Sequence, residues 1–234
     1  MKKVLILVVS SEVRPYGKMI DTSLETWDSI KVEGVQTIFY CGTSTHIDTD
    51  KIKHFPITES LHNMGHKGLL AYEWALNNLE FDYVARVNSS CYVSKNKLLD
   101  YVQTLPNDNL FEGLMVSRPE SFDYAWGGGQ FILSRDVLQL VVDNKDKWNH
   151  SYMEDESLGL LLGQLGIKTK QGNSCSINKE ENNWMLLSYG FGESIKFTDF
   201  KDVANTPHYF FRVKQDGQRE KDEYLMIKLH ENKI

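Results

Sequence analysis

Val4-Leu5-Ile6-Leu7-Val8-Val9 is an unbroken apolar run rich in β-branched residues, followed at once by Ser10-Ser11 and shortly by Arg14-Pro15. Its six residues are far short of the ~20 needed to cross a bilayer. A strand with one wet face would alternate apolar and polar residues. An unbroken run instead predicts a strand buried on both faces, as occurs inside parallel sheets. Met1-Lys2-Lys3 resembles the charged start of a secretory leader. The apolar run is shorter than the usual ~7–15 residues, however, and no small-residue cleavage site follows.

Working outward, strand and helix patterns alternate. Residues 20–30 read as a helix, 35–40 as a strand closed by Gly42, and 43–54 as a polar loop. Ser60 is expected to cap a helix reaching Leu79, with Leu69, Tyr72, Leu76 and Leu79 on one apolar face. Residues 83–87 predict a strand ending at Asn88-Ser89-Ser90, and Ser94 a helix cap. A short strand at 114–116 follows. The run Trp126-Gly127-Gly128-Gly129 leads into a strand at 130–133 and a helix striped by Val137, Leu138, Val141 and Val142. Residues 154–165 predict a helix, Gly166 its C-terminal cap, and 167–169 a short strand. The remainder is polar apart from Tyr209-Phe210-Phe211. This order predicts an α/β fold, a mixed but mainly parallel central sheet flanked by helices. Ligands in such sheets sit beyond the carboxyl ends of the strands, which gathers Ser10-Ser11, Asn88-Ser89-Ser90 and the glycine run at one crevice.

Composition bounds the function. The 234 residues suit one domain, and the net charge of -6 argues against a nucleic-acid binder. Cys41, Cys91 and Cys175 are odd in number and widely spaced, which gives no zinc pattern or disulfide framework and fits a reducing compartment. The glycines do not form the dinucleotide fingerprint.

Four segments together resemble the β1,3-galactosyltransferase and Fringe-like branch of GT-A glycosyltransferases and its small viral and bacterial relatives. They are Glu25-Thr26-Trp27; the run from Phe81 to Asn88-Ser89-Ser90; Trp126-Gly127-Gly128-Gly129 with the strand after it; and Glu154-Asp155-Glu156-Ser157-Leu158-Gly159. The resemblance spans roughly residues 1–165, with a fainter echo at 208–214. It implies a single Rossmann-like GT-A domain over 1–234, with a nucleotide-binding half at about 1–105 and a donor-sugar and acceptor half at about 106–234 that includes a basic C-terminal segment. It also implies an inverting hexosyltransferase using a nucleoside-diphosphate sugar, by analogy a UDP-sugar, and a glycan-like acceptor. Animal relatives carry membrane anchors; with no anchor here, a cytoplasmic enzyme is expected. No covalent cofactor is expected.

The family's acidic metal triplet is replaced by Asn88-Ser89-Ser90. Hard cations such as Mn²⁺ and Mg²⁺ bind through carboxylates, so dependence on metal is open. His208 is the one alternative ligand that the resemblance offers. Charge on the leaving diphosphate needs either a metal or cationic side chains. Arg212 and Lys214 alternate as a strand projects them, and with His208 they are expected to take that role, Arg219 further on offering more charge; a solvated basic tail is the alternative. Asp155 is expected to be the base, with Glu154 its rival, and the helix dipole is expected to lower the Asp155 pKa. Donor contacts are expected from Ser10, Ser11, Arg14, Asn88, Ser89, Ser90 and the glycines 127–129, with Trp126 stacking on a sugar or filling the core. For Lys67 and Arg86 a structural salt bridge and a ligand contact stand level. The competing functions are a catalytically inactive carbohydrate-binding module on this fold and a sugar-phosphate nucleotidyltransferase.

Overall fold

The structure is a computed structural model that describes residues 1–43, 46–118, 122–180, 183–190, 192–215 and 218–234. Of the loop expected at 43–54, residues 44–45 lie outside this set.

The first half runs β1 (Val4–Val9), α1 (Gly17–Glu25), β2 (Val35–Cys41), β3 (Ile52–His54), α2 (Met64–Asn78), β4 (Tyr83–Asn88), β5 (Cys91–Val93) and α3 (Lys95–Thr104). Next come β6 (Phe111–Gly113), β7 (Met115–Ser117), β8 (Asp123–Ala125), β9 (Phe131–Ser134), α4 (Arg135–Asp143) and α5 (Glu154–Gln164). The chain finishes with β10 (Lys170–Gln171), β11 (Ser174–Lys179), β12 (Trp184–Tyr189), β13 (Ile195–Phe197), α6 (Lys201–Ala204), β14 (Phe210–Arg212) and α7 (Arg219–Glu231).

Among the described residues the main sheet has seven strands in the order β10-β6-β9-β4-β1-β2-β3. β1 lies at its heart, parallel to both β2 and β4. Its alternation explains the unbroken apolar run. Val4, Ile6 and Val8 enter a core shared with α1, α3, α7 and the second sheet, while Leu5, Leu7 and Val9 enter a core under α2, α4 and α5. Each such buried side chain contributes about 1.5–3 kcal/mol of transfer free energy, so the strand that decides the fold also anchors it.

β9 runs antiparallel to β4 and β6. This reversal positions the site. An antiparallel strand brings its amino end to the edge where its parallel neighbours have their carboxyl ends. Phe131 therefore pairs with Arg86, and the 3-10 turn Gly127–Gly129 sits beside Asn88. A second sheet, β13-β12-β11-β14-β5, joins the C-terminal segment back to the strand after Ser90, with Arg212 paired to Cys91.

Several boundaries differ from expectation. The 43–54 segment contains β3. Ser60 does not cap α2: the helix starts at Met64, and the Ser60 hydroxyl accepts from the Asn63 N–H at 3.1 Å before it. The first helix ends at Glu25 and is followed by a 3-10 turn at Trp27–Ser29. Gly166, at φ +83°, fills the left-handed position after α5, as expected.

Candidate active site

Two adjoining clefts open at the carboxyl edge of the main sheet. The first, about 330 Å³, lies between the loop after β1 and the turn after β4; Ser10, Ser11, Arg14 and Tyr16 form one wall and Asn88, Ser89 and Ser90 the other. Hydrogen bonds fix both walls to the sheet: Ser10 N–H donates to Tyr40 O at 3.0 Å and Ser89 N–H to Val9 O at 3.2 Å. The second cleft, about 720 Å³, is bounded by Trp126, Ser176, Asn178 and Tyr189. Tyr16, Arg212, Lys214 and Arg219 line both.

Although the chain carries a net charge of -6, the first cleft is basic. Glu59, the single carboxylate among its described lining residues, is held by the buried Lys67 ammonium at 2.8 Å. Lys67 also donates to Ser10 O at 2.7 Å. Lys67 thus secures the Ser10 loop and spends its charge on Glu59. Arg219 pairs with Asp222 and lies over the Tyr16 ring at 5.5 Å. Arg14, Arg212 and Lys214 make no ion pair among the described residues, so they set the sign of the cleft.

Arg212 is the most constrained of the three. Its guanidinium lies 4.4 Å over the Trp126 ring, within the range of a cation–π contact. Nη1 is buried with no hydrogen-bond partner. Burial pulls its pKa below the ordinary guanidinium value, but guanidinium stays charged. An unpartnered buried donor is costly unless something else accepts from it. Gly128 makes the stack possible, because a Cβ there would collide with both Nη1 and the indole.

Behind this stack, the glycine turn is pinned at both backbone groups of its first residue, Gly127. Asp155, in the first turn of α5, accepts from Gly127 N–H at 2.8 Å through Oδ2 and from Glu156 N–H at 3.0 Å through Oδ1. The Gly127 carbonyl accepts from Arg86 Nη1 at 3.1 Å and Asn88 Nδ2 at 2.8 Å. Gln130, which closes the turn, is fully buried at φ +62°, a conformation worth about 1–3 kcal/mol of strain in a non-glycine residue. The expected lowering of the Asp155 pKa is corrected here. Burial raises it above the ordinary carboxylate value, outweighing the Gly127 N–H and the Arg86 charge.

Glu154 points away from the clefts. At 1% exposure, it pairs with Arg86 Nη2 and accepts from Tyr72 OH at 2.7 Å. Burial opposes the Arg86 charge, but Glu154, Tyr40 and Tyr72 together outweigh it and raise the Arg86 pKa. Arg86 and Lys67 thus both form salt bridges in this geometry, and Lys67 also lines the first cleft. His208 is also corrected. It is fully buried, with Nδ1 2.6 Å from Asn173 Oδ1, and lines neither cleft. Burial, with the nearby Lys97 charge, lowers its pKa to about 4, so it is neutral at pH 7.

Ser10, Ser11, Arg14, Asn88, Ser89, Ser90, Arg212 and Lys214 do converge on the first cleft, and Trp126, half-buried, borders the second. The sequence reading missed Tyr16, Glu59 and the β11–β12 residues. Tyr16 follows Arg14-Pro15 directly and belonged to the same loop. Glu59 and Lys67 are eight apart, a spacing no local pattern marks.

A metal in this place would need oxygen ligands bearing charge. Here Asn88 Oδ1 already accepts from Arg86 at 2.8 Å, Ser89 and Ser90 are neutral, and Glu59 is taken by Lys67. No cluster of three His, Cys, Asp or Glu suited to a metal occurs among the described residues. The residues present do not fit the divalent cation that the fold family implies.

No protein-family model matches the chain. The chain is 21% identical over 178 residues to UDP-GalNAc:beta-1,3-N-acetylgalactosaminyltransferase 2 of Mus musculus, covering 68% of this chain and 35% of the mouse protein. It therefore spans about a third of that relative's length. The crystal structure of a glycosyltransferase involved in the glycosylation of the major capsid of PBCV-1 superposes with a TM-score of 0.55 at 12% identity, covering 96% of this chain and 99% of that one. The fold is thus the GT-A-type α/β arrangement, a mixed central sheet flanked by helices. No described helix is long and apolar enough to cross a membrane.

Proposed function

We propose that this chain is an inverting glycosyltransferase that moves a sugar from a UDP-sugar to a hydroxyl of a glycan acceptor and meets the leaving-group charge with side chains instead of a metal. The observation that supports it most is the unpartnered Arg212 guanidinium, which faces a basic cleft at the sheet edge and stacks on the turn that Asp155 holds. The nucleoside lies between the Ser10–Tyr16 loop and the free hydroxyls of Ser89 and Ser90. The diphosphate lies against Arg212, Lys214 and Arg14. Asp155 takes the proton from the acceptor hydroxyl, whose oxygen bonds to the anomeric carbon. The bond from that carbon to the diphosphate oxygen breaks, and its electron pair leaves with the diphosphate. The raised Asp155 pKa makes it a stronger base than an exposed carboxylate.

Thermal shift with a panel of nucleoside diphosphates and their sugars, with and without Mn²⁺, tests the donor class. At a hundredfold excess over Kd a ligand adds about 2.7 kcal/mol, or about 5–10 °C for a chain of this size. UDP or one UDP-sugar is expected to give that shift equally with Mn²⁺ or EDTA. Transfer in EDTA is expected to persist and to fall about 10²–10³-fold in Arg212→Ala. Donor turnover that vanishes in EDTA and returns with Mn²⁺ would overturn the side-chain clamp. Glycan binding without any turnover would favour the inactive binding module.

A further inference from the structure

The second cleft has a composition of its own. Its volume of about 720 Å³ is within the range of ligand sites, roughly 300–1,000 Å³. No carboxylate is among its described lining residues. Its floor comes from an unusual feature of β11. Alternate residues Cys175 and Ile177 are fully buried in the core, as a strand's inner face should be. The opposite face, normally turned to water, carries Ser174, Ser176 and Asn178. Ser174 and Ser176 are nonetheless only 2% and 8% exposed. They form a polar row closed over by neighbouring structure. Ser176 Oγ lies 3.1 Å from the Tyr189 hydroxyl on β12 and 3.5 Å from Asn178 Nδ2, while Ser174 Oγ bonds Gln130 Oε1 at 3.3 Å. The row thus runs from the strained end of the glycine turn to the cleft.

We infer that this second cleft is an acceptor subsite, in which a sugar ring lies against Trp126 and Tyr189 and its hydroxyls bond to Asn178, Ser176 and the Tyr189 hydroxyl; this rests on the glycosyltransferase reading above. The lining selects the ligand class. An apolar ligand would strip water from an amide and two hydroxyls without replacing their bonds. A sugar presents C–H faces to aromatic rings and hydroxyls to the row. The location is consistent with the chemistry. The two clefts share Arg212, Lys214 and Arg219, so a ligand in the second abuts a diphosphate held in the first. Trp126 immediately precedes Gly127, whose N–H binds Asp155, so the cleft borders the turn that the proposed base holds.

The experiment is saturation-transfer NMR on the full chain loaded with UDP, using methyl β-galactoside, methyl β-glucoside, methyl β-N-acetylglucosaminide and methyl α-mannoside as probes. At least one is expected to bind through its ring protons. Asn178→Ala and Tyr189→Ala are each expected to weaken that probe about tenfold, the loss of one hydrogen bond or ring contact. UDP affinity is measured for each variant as the test of an intact fold. The inference is overturned if no probe binds the UDP-loaded protein, or if both variants bind UDP and retain the probe's affinity. Failure of the glycosyltransferase reading is distinguished by the unmodified chain not binding UDP at all.

Discussion

Replacing Glu154 with Gln separates a structural acid from the proposed base, although the two are adjacent in sequence. Glu154 and Arg86 are 1% and 2% exposed and paired with each other. The Tyr72 hydroxyl donates to Glu154 at 2.7 Å and that of Tyr40 at 3.5 Å. Glutamine has nearly the same shape and retains an oxygen for Tyr72. What it removes is the negative charge opposite a guanidinium that cannot lose its proton. Breaking a buried ion pair from one side costs about 3–5 kcal/mol, because the remaining charge stays desolvated and unpaired. Against a typical total of about 5–15 kcal/mol, that is about a fifth or more of the stability. It corresponds to a melting temperature lower by about 6–20 °C.

Urea unfolding followed by circular dichroism is the assay, with the midpoint falling and the slope unchanged. The double variant Arg86→Met with Glu154→Met is the control. It removes both charges while filling the space, so its cost is expected to be well below that of Glu154→Gln. A Glu154→Gln cost under about 1 kcal/mol, or a double variant worse than the single, would refute the view that Arg86 is held here by charge.

Asp155→Asn is expected to lower kcat about 10²–10⁴-fold with the fold intact. Burial raises the Asp155 pKa, and the base works only when ionised, so the acid limb of the wild-type pH–rate profile is expected above the ordinary carboxylate range and absent in the variant. Glu112 tests a different acid: burial raises its pKa from 4.5 to about 7, and Oε1 has no hydrogen-bond partner. The native state holds that proton longer than the unfolded chain, so stability is full below about pH 4.5 and falls as pH rises to about 7, by about 3 kcal/mol in total. Thermal melts across pH are expected to show that slope flattened in Glu112→Gln.

Much of the fold was legible because it rests on local patterns. β1, β2 and β4 are buried on both faces, so their apolar runs show in any window. α4 carries its stripe at helical spacing. The second sheet was not legible. β11 alternates small polar and buried apolar residues, a pattern easily taken for a loop when serines dominate. α7 buries Leu225, Met226 and Leu229 in a helix that otherwise reads Arg-Glu-Lys-Asp-Glu. Its amphipathicity is modest because its inner face also buries Arg219 and Asp222, a charged pair.

The site divides along the same line, and the division explains which assignments moved. Residues placed by a strand end gather where their strands lead: Ser10, Ser11, Asn88, Ser89 and Ser90 line the first cleft, while the glycine run lines neither. Residues whose role depends on what lies opposite them were not legible. Glu154 and Asp155 share one helical turn about 100° apart per residue, so if one faces the cleft-side turn the other faces the core. No sequence pattern says which, but the structure does, because Arg86 arrives on the core side from β4 and captures Glu154. The same Arg86 fixes Asn88 and the Gly127 carbonyl, leaving the Gly127 N–H for Asp155. One buried cation thus holds Glu154 in the core, while Asp155 holds the glycine turn. Arg86 also occupies the amide that stands where a metal ligand would be. A single arginine thus engages both the amide at the triplet position and the rival carboxylate Glu154.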